Sequence, residues 1–312
     1  MSTLVIAEHD NQRLHPHTRA LLGAASRLAG EVDVLVIGHS CRTVAEEAAT
    51  LDGVTRVRWV DAAHYADLLA ENLAMVVAQM AAAYRHVLLP ATAFGKNLAP
   101  RVAAMLDVAQ VSDIVGIQDT EHFVRPIYAG SLLETVRSRE PVGVMTVRCS
   151  AFLPVGQSAS AAPVVPFAAG PDMGVVRLLQ RVQIDATHPQ LANARVVVAG
   201  GRGLGSAEAF HQLLDPLAAC FGGAIAATRA AVDSNYVGND CQVGQTGKIV
   251  APDIYIGVGI SGAAQHIAGI RGARLVVAIN KDPEAPLMRL ADLALVGDLH
   301  EIVPQLTEML QR

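Results

Sequence analysis

The sequence predicts an α/β protein of two domains: an N-terminal Rossmann-like parallel sheet with a β extension, then a C-terminal doubly wound sheet. Three observations carry this. Aliphatic runs of strand length alternate with segments of helical period in both halves of the chain, the βαβ rhythm of a parallel sheet. The residues are 52% hydrophobic but only 4% aromatic, so the cores are built from Ala, Val, Leu and Ile, which suits strands buried on both faces. A segment rich in turn residues separates two such series, and 312 residues suit about two domains.

In the first half the expected strands are "TLVIAE" (3–8), "VDVLVIG" (32–38), "VTRVRWV" (54–60) and "RHVLLP" (85–90), with helical segments around 16–29, 43–51, 65–84 and 95–107. "HFVRPIYAG", "LLETVRS" and "VGVMTVRC" then read as short strands of an antiparallel extension. The stretch 151–172 holds four prolines and small polar residues and reads as loop or extended chain, while "VVRLLQRVQI" (175–184) is expected to return to the first sheet as a strand. "DATHPQLANA" (185–194) is the linker, giving domains 1–187 and 188–312. The second series is "RVVVA" (195–199), "AIAAT" (224–228), "IYIGVG" (254–259), "LVVAIN" (275–280) and "LALVG" (293–297), closed by the helix "HEIVPQLTEML".

Composition removes several function classes. A net charge of −5 gives no general reason to bind nucleic acid, which asks for a basic face. Cys41, Cys149, Cys220 and Cys241 lie far apart, with no CxxC pair and no His at metal-ligand spacing, so free thiols and no metal site are expected. "MSTLVIAEHD" reaches Glu8 and Asp10 before any long apolar stretch and has no basic leader. No segment approaches the ~20 apolar residues of a membrane span. A soluble, cytoplasmic protein is expected.

Ligands of open α/β sheets bind outside the carboxyl ends of the strands. Just past those ends in the second half stand Gly200–Gly205, Thr228–Arg229, Gly259–Gly262, Asn280–Asp282 and Gly297–Leu299. Each has a plainer reading. "GGRGLGS" is one residue type short of the dinucleotide fingerprint. The acidic residue that would bind an NAD ribose is replaced by Thr228 and Arg229. "GISGAAQH" puts Ser261 and Gly262 at a helix start, where free N–H groups attract phosphate, although Ser261 taken alone reads more simply as an N-cap. "VGQTGKI" (243–249) is no nucleotide-hydrolase phosphate loop, because Gln242 and Ile249 stand where that motif needs Gly and Ser or Thr. Taken together, the ring and the long irregular segment 233–250 point to a nucleotide cofactor.

"GGRGL" (200–204), "TRAAVD" (228–233), "NDCQVGQTGKIVAPDIYIGVGISGAAQHIAG" (239–269) and "INKDPEAP" (279–286) resemble the alpha subunit of the electron transfer flavoprotein, the FAD-carrying half of a heterodimer. The resemblance covers essentially all of 195–312 and is weaker in the first half. It implies that Arg202, Thr228, Ser261, Gly262, Ala263, Ala264, Gln265, His266, Asn280, Asp298 and Leu299 line FAD, with Ser261 and Asn280 towards the pyrophosphate and Asp298 towards the adenosine. It also implies that Val243, Gly244, Gln245 and Thr246 run along the flavin, with Thr246 near N5. By the same resemblance His266 lies near the N1–C2=O edge, giving hydrogen bonding first and charge second, and Arg229 lies against the ring.

The implied activity is a one-electron shuttle and not a substrate-converting enzyme. Electrons come from dehydrogenases, such as those acting on acyl-CoA in fatty acid β-oxidation, and pass to a quinone oxidoreductase. The implied partner is the beta subunit, carrying AMP, with the N-terminal domain as its docking platform. Departures from the family pattern are few: Cys241 stands where Met is common, and Leu293 and His300 replace aromatic residues. A nicotinamide-dependent enzyme, and an AMP- or ATP-binding regulator without flavin, are the rival readings.

Overall fold

The computed structural model describes residues 2–181, 191 and 194–311. The chain divides into two compact units, Met1–Tyr128 with Leu132–Val182, and Gln183–Arg312 with Ala129–Ser131. The domain boundary expected at 187/188 lies outside the described residues.

The first unit runs β1 (Ser2–Ile6), α1 (His17–Ala25), β2 (Glu31–Gly38), α2 (Arg42–Ala49), β3 (Arg56–Asp61), α3 (Ala70–Ala81), β4 (His86–Pro90), α4 (Ala93–Met105), β5 (Gln110–Ile114), β6 (Gly116–Ile117), β7 (His122–Ile127), β8 (Leu132–Arg137), β9 (Gly143–Val147) and β10 (Val164–Pro166). Seven strands form one sheet in the order β10-β3-β2-β1-β4-β9-β5, every pair parallel, and β6-β7-β8 form a small antiparallel sheet. The period of two sorts the aliphatic residues between two faces: Val5, Val34, Val36 and Leu88 enter one core cluster, and Leu4, Ile6, Leu35, Ile37 and Leu89 the other. Covering both faces is what a parallel sheet requires, and the unbroken aliphatic runs supply it.

Three strand expectations change. "VGVMTVRC" holds β9, which is not part of the antiparallel extension but lies between β4 and β5 in the parallel sheet, with all five residues buried. β5 was not anticipated, because "QVSDI" carries polar residues suited to the half-exposed sheet edge it forms. The strand returning to the first sheet is Val164–Pro166, inside the proline-rich stretch, whereas 175–181 form no strand and are exposed; 182–184 lie outside the described residues. β10 is an edge strand, the place in a sheet where a proline costs least.

The second unit runs β11 (Val196–Gly200), α5 (Ala207–Cys220), β12 (Ala224–Ala227), α6 (Arg229–Asp233), β13 (Ile254–Val258), α7 (Ala264–Ile267), β14 (Leu275–Asn280), α8 (Pro286–Leu290), β15 (Leu293–Val296) and α9 (Leu299–Gln311). Its sheet is wholly parallel in the order β12-β11-β13-β14-β15. Val197, Ala199 and Tyr255 face one core cluster, and Val198, Ile256, Val258, Phe210 and Leu214 the other. α5 is capped by Ser206, whose hydroxyl accepts from Ala209 N at 3.1 Å, one of the donors a helix start leaves open. The doubly wound architecture expected from the sequence is the one observed.

Candidate functional site

Numbered within the second unit, the strand order is 2-1-3-4-5, so the chain changes direction across the sheet between β11 and β13. The connections after these two strands leave on opposite faces and open a crevice at their carboxyl ends. Here the two loops meet backbone to backbone. A Cβ on Gly201 would fall 2.1 Å from the Gly259 oxygen, and one on Gly203 2.8 Å from it, so no side chain fits at Gly201. Neighbouring strand ends are tied in the same way: Gly201 N donates to Val258 O at 2.9 Å, Thr228 N to Gly200 O at 3.0 Å, Gly259 N to Ile279 O at 2.9 Å and Gly297 N to Asn280 O at 3.1 Å.

From this rim the chain turns into α7. Gly262 has φ +86° and sits against Leu287, whose N–H donates to Ser261 O at 3.1 Å. A Cβ there would be strained and would meet Leu287 N at 2.4 Å. α7 has no side-chain cap, and the N–H groups of His266 and Ile267 both turn back to Ala263 O. The N–H groups of Ser261, Gly262, Ala263, Ala264 and Gln265 have no acceptor among the described residues. Five consecutive open donors beside a switch-point crevice are suited to anionic oxygens.

The segment 242–248 folds into a tight turn against α7. Val243 N donates to Ala227 O at 3.0 Å, Gly244 N to Lys248 O at 3.1 Å, Lys248 N to Gln242 O at 2.8 Å and Gln245 N to Gln265 O at 2.7 Å. The Gln242 amide donates to the Thr246 hydroxyl at 3.0 Å. His266 completes the attachment. Its Nδ1 lies 3.0 Å from Val243 O and its Nε2 2.6 Å from the Tyr255 hydroxyl. A carbonyl can only accept, so Nδ1 carries the proton, and burial, which disfavours the imidazolium, leaves Nε2 to accept from Tyr255. The ring is therefore neutral. Burial drives its pKa down to about 4, offset in part by the Val243 carbonyl, and burial also raises that of the Tyr255 phenol.

The remaining expected residues are placed as follows. Thr228 is buried and caps α6, its hydroxyl accepting from Ala231 N at 3.3 Å. Arg229, the next residue, is exposed and lies 3.5 Å from Asp233 in a surface pair. Arg202 is exposed in the turn after Gly201. The Asn280 amide donates to Ile260 O at 3.0 Å while its oxygen accepts from Asp282 N at 3.1 Å, so the side chain braces the turn between β13 and α7. Asp298 is exposed and accepts from His300 N at 2.8 Å at the start of α9, and Leu299 is buried in the core. Cys241 is a free thiol whose pKa is pushed up to about 11 by burial and then by Asp240, so it stays protonated near neutral pH. Tyr255 and Gln242 are the members that sequence reading missed. The available signal was a tyrosine, one of five in the chain, in an otherwise aliphatic strand.

Comparison with known proteins agrees across the whole chain. The family model "Electron transfer flavoprotein domain" matches residues 3–172, and "Electron transfer flavoprotein FAD-binding domain" matches 190–271. Among curated relatives, the electron transfer flavoprotein subunit alpha of Pseudomonas aeruginosa is 46% identical over 306 residues, covering 98% of this chain and 99% of the relative. That of Paracoccus denitrificans is 45% identical over 307 residues, with 98% and 99% covered. The mitochondrial one of Dictyostelium discoideum is 44% identical over 325 residues, with 99% and 91% covered.

The neutral, buried His266 makes stability depend on pH. Below about 6.5 the unfolded chain binds a proton that the folded ring refuses until about pH 4, so this contribution is full above the first value and lost as pH falls through the second. Denaturant unfolding of the parent is expected to lose on the order of 3 kcal/mol more than a His266→Gln variant across this window. Parallel pH profiles for the two proteins would contradict the assignment.

Proposed function

The chain belongs to the electron transfer flavoprotein family as an alpha subunit, and from that premise we propose how its second unit holds FAD and serves electron transfer. Members of this family are electron carriers and not substrate-converting enzymes, their electrons come from dehydrogenases, their cofactor is FAD, and the alpha subunit works with a beta subunit. The alternative of an AMP- or ATP-binding regulator without flavin finds no support in these matches.

One observation carries the reading: the five open N–H donors of Ser261–Gln265, set beside the glycine-lined crevice and under the 242–248 turn. FAD fits the donor set. Its pyrophosphate needs several fixed donors, which the start of α7 supplies, and the missing Cβ at Gly201 and Gly262 lets the rim backbones pack at contact distance and hold those donors in place. Ser261, Gly262, Ala263, Ala264 and Gln265 would hold the pyrophosphate. Asn280 would act by bracing the turn that presents them. Arg202, Thr228, Asp298 and Leu299 would border the nucleotide, with Asp298 towards the adenosine.

Val243, Gly244, Gln245 and Thr246 would flank the isoalloxazine. When bound, FAD supplies reversible electron uptake, with negative charge developing at its N1–C2=O edge. Arg229 carries a planar guanidinium cation, and among the described residues its ion-pair partner is Asp233, an exposed carboxylate that holds it weakly. It is the residue assigned to stabilise that charge. His266 was expected to give the flavin a hydrogen bond, but both its nitrogens have partners in the protein. It is assigned to position the Val243–Thr246 backbone, with Tyr255 fixing its tautomer.

The further steps rest on family resemblance. A beta subunit carrying AMP completes the flavin pocket, the first unit is its docking platform, acyl-CoA dehydrogenases are donors, and a quinone oxidoreductase is the acceptor. No helix among the described residues is long and apolar enough to cross a membrane, in keeping with the proposed cytoplasmic location.

The test is an absorbance spectrum of this chain purified with its beta subunit. Flavin bands at one FAD per heterodimer are expected, and a colourless complex that binds AMP or ATP would overturn the reading. In that complex Arg229→Ala is expected to lower the flavin midpoint potential by on the order of 1 kcal/mol per electron, with Arg229→Lys recovering part of the loss. Unchanged potentiometric titrations would remove Arg229 from this role.

A further inference from the structure

In the first unit β1 lies between β2 and β4, so the switch point of this sheet falls beside the carboxyl end of β1. The sequence continues from there into a braced hairpin. His9 bridges to Leu14, Asp10 N donates to Arg13 O at 3.3 Å, and the Asp10 carboxylate accepts from Gln12 N at 2.9 Å and Arg13 N at 2.6 Å. The hairpin brings the chain back on itself, and His15 N donates to Glu8 O at 2.8 Å. His17 then opens α1. Two imidazoles and a carboxylate are thus held together by backbone contacts.

We propose that Glu8, His15 and His17 form a binding site for a divalent transition-metal cation of the zinc type. One ligand-capable atom from each residue lies within 4.8 Å of the other two. Tetrahedral zinc with bonds of about 2.1 Å sets its ligands about 3.4 Å apart, so the side chains need to close by at most ~1.5 Å, within reach of side-chain rotation on a fixed backbone. His17 Nδ1 is buried without a hydrogen-bond partner and faces Glu8 Oε2 at 3.7 Å, too far for a hydrogen bond.

The Glu8–His17 pair leaves that nitrogen without a hydrogen bond, and the second imidazole, whose ring centre lies 4.3 Å from that of His17, is held beside it by His17 N, which donates to His15 Nδ1 at 3.3 Å. Glu8 Oε2 also accepts from the Thr92 hydroxyl at 3.0 Å, the kind of outer partner that orients a ligating carboxylate. Two imidazoles and one carboxylate form a donor set that zinc accepts, with a position left for water. The three residues are all partly exposed, so a cation has a path to them. A bound cation would tie the hairpin to α1. The sequence reading expected no metal because it looked for His near the cysteines, whereas the third ligand is a glutamate seven residues before the first histidine.

The proposal is tested on the FAD-loaded heterodimer, stripped with chelator and titrated calorimetrically with Zn²⁺. One Zn²⁺ per alpha subunit is expected, weakened at least tenfold in Glu8→Gln and in His17→Asn, with the flavin spectrum unchanged as a check on folding. His15→Asn is a second route, since it removes a partly exposed ligand with little change in packing, and the same loss is expected. Zinc binding equal in the parent and all three variants, or none in the parent, would overturn the proposal.

Discussion

A single buried imidazole holds the candidate site together. His266 projects from a four-residue helix, too short to be stable by itself, and donates to the carbonyl of Val243 in a loop twenty-three residues earlier. Tyr255, on the central strand β13, fixes the proton on the side of the ring that makes this possible. Removing either partner would leave a buried polar atom unsatisfied, which costs more than the net worth of the bond it made. The turn 242–248, α7 and the sheet therefore hold one another in register, and the open donors of Ser261–Gln265 are fixed before any ligand arrives.

Preorganisation of this kind suits an electron carrier. Such a protein has no bond to break, so the protein's task is to keep a cofactor in place and set the electrostatics around it. The glycine contact between the β11 and β13 loops serves the first need, because it lets two strand ends approach at backbone distance. Arg229 is the residue proposed to serve the second. Its side chain is exposed in this chain, as the proposed completion of the pocket by the beta subunit requires.

Much of the fold was legible because buried parallel strands advertise themselves as aliphatic runs. All five strands of the second unit read correctly, as did the first four of the first unit. The misreadings have two causes. β5 and β10 are edge strands, with polar residues or prolines where a central strand would have Val or Ile, while β9 was placed in the wrong sheet because pairing partners are not encoded locally. For the candidate site, glycines and small residues after the strand ends pointed to the location. The long-range side-chain partners could not be read: His266 and Asn280 are engaged by the carbonyls of Val243 and Ile260, and only the folded chain brings those atoms within reach. The hairpin that joins Glu8 to His15 and His17 escaped for the same reason.

The central claim is that the start of α7 and the turn above it form the FAD cradle. Amide hydrogen exchange of the heterodimer with and without FAD tests it most directly. Strong protection on FAD binding at the amides of Ser261–Gln265 and Thr246 is the expected result. Protection elsewhere in the second unit, with these amides exchanging at the same rate in both states, would contradict the account.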